Sequence, residues 1–383
     1  MIYLDNNATT PLDPRVLEEM MPYFKDHFGN PSSLHRLGLE AERAIKKARE
    51  RIAAPLKAKP HELVFTSGAT ESINWGIRAA AKINKRKGKH IITSAIEHSA
   101  VLATCNALKE DGYQITYLKP DAYGKVFTSQ VLEALQSDTV LVALMHVNNE
   151  LGVIYPYEEL GKKIKVQDPS ILFFVDGAQG FGKMPVDLTS VDLYAMSGQK
   201  IHGPKGVGAL YIKSGIHIQP LLYGGGQENT LRSGTENVPA IVGFGKAAEL
   251  AYANVEAKRA HIKKLHEALR KGIHGIDNTH INSPIDGIET TLNCAFLGIP
   301  GEVLLHQLEE ENIFVSTGAS CKSGKKNISH VLEALPISNA IKKSSIRVGL
   351  SYLNTMDEVE QSIEVFKRIV PQLRNVIPRD SRT

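Results

Sequence analysis

Short apolar runs alternate with helix-like stretches through residues 62–212, and this alternation restricts the fold more than any other feature. Helical patterns fill most of the gaps between the runs, for example at residues 70–83 and 157–166. Such alternation predicts an α/β, doubly wound domain, with a mainly parallel sheet covered by helices on both faces. The predicted strands are residues 62–66, 90–93, 114–118, 140–145, 171–175, 191–196 and 207–212.

The pattern changes after about residue 239, where a long helical stretch covers residues 241–273. Beyond it, strand-like and helical segments alternate irregularly, which predicts a smaller α+β domain. A chain of 383 residues is long enough for a large and a small domain. We place the large domain at residues 14–255 and the small domain at 1–13 together with 256–383.

Composition and charge exclude several classes of protein. Apolar residues make up 42% and charged residues 22%, as in ordinary globular proteins, and a net charge of +4 gives no reason to expect nucleic-acid binding. The first seven residues lack the pattern of a signal peptide, and no segment has the length of a membrane span. The 3 cysteines are far apart, without the spacing of a zinc site or a disulfide framework. We therefore expect a cytoplasmic protein with no metal site and no membrane contact.

Two charged residues follow neighbouring predicted strands. Asp176 comes after the strand at 171–175, and Lys200 comes shortly after the strand at 191–196. Ligands of such sheets bind at the carboxyl ends of the strands. A lysine that forms a Schiff base and an aspartate that keeps a pyridine nitrogen protonated are what pyridoxal phosphate (PLP) requires. The alternative is two surface loops; a rival lysine, Lys205, lies in a Gly-Pro-Lys-Gly segment typical of a tight turn.

A phosphate site is predicted where the first strand of the series meets a helix. In Ser67-Gly68-Ala69-Thr70, Gly68 permits close backbone approach and Thr70 lies where the helix begins. The free N–H groups and the helix dipole favour an anion there. An ordinary N-cap without a ligand is the alternative. Ser197 and Asn149 also follow predicted strands, so their side chains are expected at the same edge of the sheet.

His98 and Cys321 are further candidates for chemistry. His98 follows a strand and could lie against a cofactor ring and move protons, although a lone histidine is more often structural or exposed. Cys321 lies in a loop of small residues with three lysines in the next five positions, and positive neighbours favour the nucleophilic thiolate. An unreactive loop cysteine is the alternative. Cys105 and Cys294 fit buried, structural positions.

Motifs along the whole chain resemble the cysteine desulfurases of the NifS/IscS kind, PLP enzymes of class V with the aspartate aminotransferase fold. The matching segments are YLDNNATTP at 3–11, FGNPSSLH at 28–35, GATES at 68–72, NNELG at 148–152, VDGAQ at 175–179, GGGQE at 224–228, LRSGTENVP at 231–239 and SSIR at 344–347. The resemblance implies conversion of L-cysteine to L-alanine, with the sulfur transferred to the enzyme as a persulfide. It also implies a homodimer.

The resemblance assigns the cofactor contacts residue by residue. Lys200 would bind PLP covalently, Asp176 would pair with the ring nitrogen and Gln179 with the phenolic oxygen. His98 would stack on the ring and act as acid and base. The phosphate would be bound by Ala69, Thr70, Ser197, Gln199 and Thr235 of the partner subunit.

The substrate contacts follow in the same way. Asn149 and Arg347 would hold the substrate carboxylate, for which a guanidinium fork is suited, with Asn7 beside them. Cys321 would attack the substrate sulfur. The nine positions from Cys321 to His330 resemble the longer-loop branch of the family, whose loop can deliver sulfur to a separate protein.

Two positions depart from the family pattern. Gln199 stands where the family usually has a histidine that donates to the phosphate, although a glutamine amide can donate too. The residues before Cys321 are Ala319-Ser320, where the family usually has Ser-Ala. These changes are compatible with a specialised sulfur acceptor or an altered reaction rate. They do not change the expected class of reaction.

The principal hypothesis is a cysteine desulfurase that supplies sulfur to an acceptor protein, either a scaffold or a sulfurtransferase. The sulfur would serve iron–sulfur cluster assembly, tRNA thiolation or DNA sulfur modification, without direct nucleic-acid binding by this chain. A selenocysteine lyase, an aminotransferase or another class V PLP enzyme is the first alternative. A scaffold subunit without catalysis is the second, against which the intact Lys200, Asp176 and Cys321 argue.

Overall fold

The structure is a computed structural model that describes residues 1–317 and 328–376. The strands are β1 (Ile2–Tyr3), β2 (Leu63–Thr66), β3 (His90–Ser94), β4 (Gln114–Leu118), β5 (Thr139–Met145), β6 (Leu172–Asp176), β7 (Leu193–Ser197), β8 (Gly208–Ile212), β9 (Thr279–Ile281), β10 (Thr291–Phe296), β11 (Ile313–Phe314) and β12 (Ser345–Gly349). The α-helices are α1 (Pro14–Met20), α2 (Pro22–Lys25), α3 (Arg36–Ala53), α4 (Ala69–Ile83), α5 (Ser99–Glu110), α6 (Thr128–Glu133), α7 (Tyr157–Gln167), α8 (Val238–Tyr252), α9 (Val255–His274), α10 (Gly301–Glu310), α11 (His330–Ala334), α12 (Asn339–Lys343) and α13 (Met356–Val376).

The main sheet has seven strands in the order β2-β8-β7-β6-β5-β3-β4. Strands β7, β6, β5, β3 and β4 pair in parallel, and β8 alone runs antiparallel to both of its neighbours. The register places Asp176, the last residue of β6, opposite Met145 on one side and Ala195 on the other. The predicted mainly parallel α/β sheet is therefore confirmed, with strand limits shifted by no more than two residues.

Helices cover both faces of this sheet. On one face α4 and α5 pack on the strands around Ile73, Trp75 and Val101. On the other face α3, α7 and α8 form the larger cluster around Ile52, Leu160 and Phe244. Within β5 the buried side chains serve both clusters, since Ala143 belongs to the first and Leu144 to the second. This explains why the strands are continuously apolar.

The last third of the chain and the N-terminal strand form a second, smaller structural region. Strands β12, β10 and β9 form an antiparallel sheet, and β1 pairs in parallel with β11. A third cluster, which includes Leu4 with apolar residues of α9, α10 and α13, fills this part. The N-terminal strand thus packs with residues 262–370. This packing agrees with a small domain that combines residues 1–13 with residues 256–383. The limits of that domain stay a prediction.

The prediction of one long helix over residues 241–273 is wrong. Two helices, α8 and α9, occupy the region and are separated at Ala253 and Asn254. Ala253 is extended (ψ 115°) and Asn254 is left-handed (φ 56°), so the helical hydrogen bonding stops there. No proline or glycine lies at Ala253 and Asn254, so the sequence gives no strong indication that the helix breaks there.

In the described part of the chain, no helix combines the length and apolar character that crossing a membrane requires. The two cysteines predicted to be core residues, Cys105 in α5 and Cys294 in β10, are buried and form no disulfide. That prediction is confirmed.

Candidate active site

A cavity of about 440 Å³ lies at the carboxyl ends of β2, β5, β6 and β7. It is the position where an open α/β sheet binds its ligands. Nearly all of the predicted site residues line it. They are Asn7, Ala69, Thr70, His98, Asn149, Asp176, Gln179, Ser197, Gln199, Lys200 and Arg347.

The start of α4 forms one end of the cavity. Gly68 precedes the helix with φ +154°, and no side chain caps the helix there. A Cβ at Gly68 would meet nothing within 4 Å, so the backbone faces open space. The Glu71 carboxylate holds the loop in place, because it accepts from the Ser67 N–H (2.8 Å) and from Arg232 Nε (2.9 Å). The uncapped N–H groups and the positive helix end favour an anion at this position.

Asp176 lies in the floor of the cavity and is 5% exposed. Its Oδ1 accepts from the Ala178 N–H at 3.0 Å. Burial raises the pKa of the Asp176 carboxyl, and a positive charge on His98 or Lys200 would oppose that rise. A positively charged group in the cavity would offset the cost of keeping this carboxylate ionised.

Lys200 lies one strand away from Asp176, in the turn after β7. Its Nζ donates to the main-chain carbonyls of Asn7 (2.8 Å) and Ala8 (2.6 Å). Burial, and then the nearby charge of Arg347, lower the pKa of Lys200 to about 8. A substantial fraction of the amine is therefore uncharged at mildly alkaline pH, which is the form that attacks a carbonyl carbon.

His98 is the N-cap of α5. Its Nδ1 accepts from the Ala100 N–H at 3.1 Å, so a neutral ring carries its proton on Nε2. Loss of solvation lowers the pKa of His98, with Asp176 acting in the opposite direction. The imidazole is therefore neutral at pH 7 and can accept or donate a proton at the cavity.

Arg347 also lines the cavity and is 5% exposed. Its Nη2 pairs with Asp5 Oδ1 at 2.6 Å, and its Nη1 donates to the Asn149 carbonyl at 3.2 Å. The buried Nε has no partner among the residues that the structure describes. A buried guanidinium with unused donor capacity favours an anionic ligand such as a carboxylate.

Asn7 lines the cavity, but its side-chain amide bonds to the protein. Its Nδ2 donates to the Asn149 carbonyl (3.1 Å) and to Thr291 Oγ1 (2.6 Å). Its main-chain carbonyl accepts from both Lys200 and Gln179. Asn7 therefore organises the groups around the cavity, and its Oδ1, which is buried without a partner among the described residues, is the atom left for a ligand.

Two predicted site residues do not line this cavity. Thr235 is exposed and is absent from the cavity lining. Cys321 lies outside the described residues, so the structure does not place it. Five positions before Cys321, Ser316 lines the cavity. Its backbone pairs with that of Arg347.

The sequence analysis did not identify Asp5 or Glu71 as members of the site. Asp5 fixes Arg347 across 342 positions of sequence, and Glu71 fixes the loop at the start of α4. Both lie within the motifs that carry the family resemblance, but nothing local to either residue indicates its partner. Within residues 1–317 and 328–376, no group of three or more His, Cys, Asp or Glu side chains is placed to hold a metal ion.

The donor set fits PLP. An uncapped helix start with the hydroxyls of Thr70 and Ser197 suits a phosphate, a buried carboxylate suits a protonated pyridine nitrogen, and Lys200 suits an aldehyde. The three lie around one cavity of the size of a small cofactor with its substrate. Arg347 in the same lining suits a carboxylate of a substrate beside the cofactor.

Comparison with known proteins gives concordant results. The family model described as aminotransferase class-V matches residues 2–361. The chain is 44% identical over 380 residues to the cysteine desulfurase IscS of Methanosarcina thermophila, covering 98% of this chain and 94% of that protein. It is 43% identical over 381 residues to the cysteine desulfurase IscS of Dictyoglomus turgidum, covering 98% and 96%.

Two solved structures are similar over nearly the whole chain. One is a NifS-like protein, with a TM-score of 0.92 and 39% identity over 97% of this chain and 100% of that one. The other is SspA in complex with cysteine, with a TM-score of 0.81 and 38% identity over 93% and 100%.

Proposed function

Since this chain belongs to the aminotransferase class-V family and is a PLP-dependent cysteine desulfurase, we propose that the cavity between α4 and Arg347 is where L-cysteine is converted to L-alanine. One observation carries the proposal. Lys200, Asp176, Arg347 and the start of α4 line the same cavity. Cofactor and amino-acid substrate therefore each have a charged partner.

The residues that would hold PLP follow from their chemistry. Lys200 would bind the cofactor covalently, Asp176 its ring nitrogen and Gln179 its phenolic oxygen. Bound PLP supplies an electron sink for bonds at the substrate's α-carbon. The phosphate would be held by Ala69, Thr70, Ser197, Gln199 and Thr235 of the partner subunit.

The protein's own residues orient the substrate and move its protons. Arg347, held by Asp5, binds the substrate carboxylate together with Asn149. His98 is neutral and carries its available proton on Nε2, so it can exchange a proton with the substrate at the cavity. Lys200, with a pKa of about 8, is the second group able to take and return a proton.

Cys321 is proposed as the sulfur acceptor within the enzyme. Its thiolate attacks the substrate sulfur, an S–S bond forms and the bond between sulfur and the β-carbon breaks. The electron pair of the broken bond stays with the carbon skeleton, which takes up a proton and becomes the methyl group of alanine. Ser316 lines the cavity five positions earlier, and five residues span at most about 17 Å, which is within reach of the substrate.

The assay for this proposal is the production of alanine and sulfide from L-cysteine by the PLP-loaded protein under reductant. We expect Cys321→Ala to lose at least about 100-fold in turnover while keeping the cofactor absorbance, because only the nucleophile is removed. Cys105→Ala and Cys294→Ala are matched controls, since both thiols are buried and burial raises the pKa of each to about 12. Full activity of Cys321→Ala would refute the assignment.

The persulfide sulfur is proposed to pass to an acceptor protein, a scaffold or sulfurtransferase, in iron–sulfur cluster assembly within the cytoplasm. Names of relatives such as the Methanosarcina thermophila IscS support this class of enzyme. Enzyme charged with labelled cysteine should transfer label to a purified iron–sulfur scaffold. Transfer only to proteins of tRNA thiolation or DNA sulfur modification would assign those pathways instead.

A homodimer is proposed as the active form. Its support is the exposed position of Thr235 and a set of exposed apolar side chains that includes Phe28, Leu34 and Tyr223.

A further inference from the structure

Lys183 lies beside the candidate site without a role in the reaction described above. It ends the turn that follows β6, where its N–H donates to the Gly180 carbonyl at 3.1 Å. Gly182, with φ +73°, makes the turn possible, since a Cβ there would come within 2.6 Å of Ile201. The Lys183 side chain is half-buried and lines a second, small cavity of about 40 Å³ that also borders Lys200.

The Lys183 ammonium contacts Gln179. Its Nζ donates to Gln179 Oε1 at 2.6 Å, four positions earlier in the chain. A lysine has donors and no acceptor, so the amide end that faces it must be the oxygen. The orientation of the Gln179 amide is therefore determined by its partner, although oxygen and nitrogen are otherwise hard to distinguish.

The other end of the Gln179 amide shares an acceptor with the reactive lysine. Gln179 Nε2 donates to the Asn7 carbonyl at 2.9 Å, the same oxygen that accepts from Lys200 Nζ at 2.8 Å. The NH₂ group is thus a donor placed next to the atom that binds the cofactor. While Lys183 is protonated, its bond to the amide oxygen also polarises the amide, which makes the NH₂ group a stronger donor.

The charges around Lys183 are mainly positive. Burial, and then the charges of Lys200 and Arg347, lower the pKa of Lys183 to about 7, and Lys258 and Arg259 line the same small cavity. Placing a lysine beside two other cations is unfavourable for stability. Strongly shifted pKa values cluster at functional sites, which agrees with a role for Lys183 in this one.

Resting on the proposed function, we propose that Lys183 is a positioning residue that fixes Gln179 with its NH₂ group toward the phenolic oxygen of PLP. It acts through Gln179 and touches neither cofactor nor substrate. A donor at that oxygen stabilises its ionised form. Lys183 would strengthen this interaction by holding Gln179 in the required orientation.

The test is a pH titration of the absorbance of the PLP-loaded protein, which needs no turnover. We expect Lys183→Met to raise the midpoint of the cofactor's pH transition by about one pH unit, because the ionised oxygen loses a strengthened donor. Lys183→Arg, which keeps a cationic donor, should return the midpoint to within a few tenths of a unit of wild type. If the Met variant fails to fold, Lys183→Ala should show the same upward shift, since alanine has no group that can donate to Gln179 Oε1.

A double-variant cycle separates positioning from a simple charge effect. Gln179→Leu alone should shift the midpoint upward, and adding Lys183→Met to it should change little, since the path from Lys183 runs through the amide. Fully additive shifts, or a Lys183→Met midpoint equal to wild type, would overturn the inference alone. A wild-type protein that takes up no PLP would overturn the proposed function and this inference with it.

Discussion

Glu97 is a buried carboxyl that the proposed reaction does not use. It precedes His98, is fully buried, and its Oε1 accepts from Ser94 Oγ at 2.6 Å. Its Oε2 has no partner among the described residues. Burial, with the nearby charge of Asp176, raises the pKa of Glu97 from 4.5 to about 8. The carboxyl is therefore protonated at neutral pH in the folded protein and ionised in the unfolded chain.

This difference predicts how stability depends on pH. Between pH 4.5 and about 8 the folded state holds a proton that the unfolded state has released, so stability falls as pH rises, by up to about 1.4 kcal/mol per pH unit. Glu97→Gln removes this titratable group, so its free energy of unfolding should fall less steeply with pH. The stability of the variant relative to wild type should therefore increase as pH rises. Urea unfolding of the PLP-free protein at pH 5.5, 6.5 and 7.5 measures it. Exposed Glu110→Gln is the control, and parallel profiles for wild type and Glu97→Gln would contradict the prediction.

The break between α8 and α9 is the main departure of a secondary-structure element from its sequence pattern. Helix α8 packs in the cluster under the main sheet, and α9 packs with the three-stranded sheet. The two helices therefore serve different cores, and the left-handed Asn254 redirects the chain between them. Packing decides this break, because each apolar face must be buried in its own cluster.

Substitutions at the break test this explanation. We expect Asn254→Val to destabilise the protein by about 1–2 kcal/mol, since a β-branched residue is strained at a positive φ, and Asn254→Gly to be neutral or slightly stabilising. Ala253→Val is the matched control, because that exposed neighbour is extended and tolerates branching. Thermal unfolding compares the three. Equal loss in Asn254→Val and Ala253→Val would show that the left-handed conformation is not what matters.

At the scale of the whole molecule, exposed large apolar side chains occur at many positions, and several of them are grouped within residues 17–39 and 221–223. Phe28 is 69% and Leu34 95% exposed in the segment before α3, and Tyr223 is 77% exposed in the loop before Thr235. Several large apolar side chains exposed in such stretches mark surfaces that a partner covers. A second copy of the chain is the occupant we propose, since it would also bring Thr235 to the phosphate end of the site.

The dimer is testable by sedimentation. Wild type is expected at twice the mass of one chain, and Phe28→Asp with Tyr223→Asp should shift it toward the monomer by placing charges in a desolvated contact. The monomeric form should also bind PLP more weakly, because it lacks Thr235 of the partner subunit. Phe127→Asp, at another exposed aromatic position, is the control. A monomeric wild type with full PLP affinity would refute the proposal.

The sequence by itself determined what depends on local pattern. Alternation of apolar runs indicated the seven strands of the main sheet, because a strand buried on both faces must be apolar throughout. Asp176, Lys200 and the segment around Thr70 were identified as one site, because parallel strands bring their carboxyl ends to one edge. In the structure these residues line one cavity, and their roles stay proposals.

Only the tertiary structure decided the contacts between distant segments. Asp5 pairs with Arg347 and the Asn7 carbonyl joins Gln179 to Lys200, across intervals at which no periodicity relates one residue to another. The end of α8 at Ala253 was likewise decided by which core each helix face could enter. Local sequence sets the preferences of each element, but the burial of charged and apolar groups against one another is settled only when the elements pack.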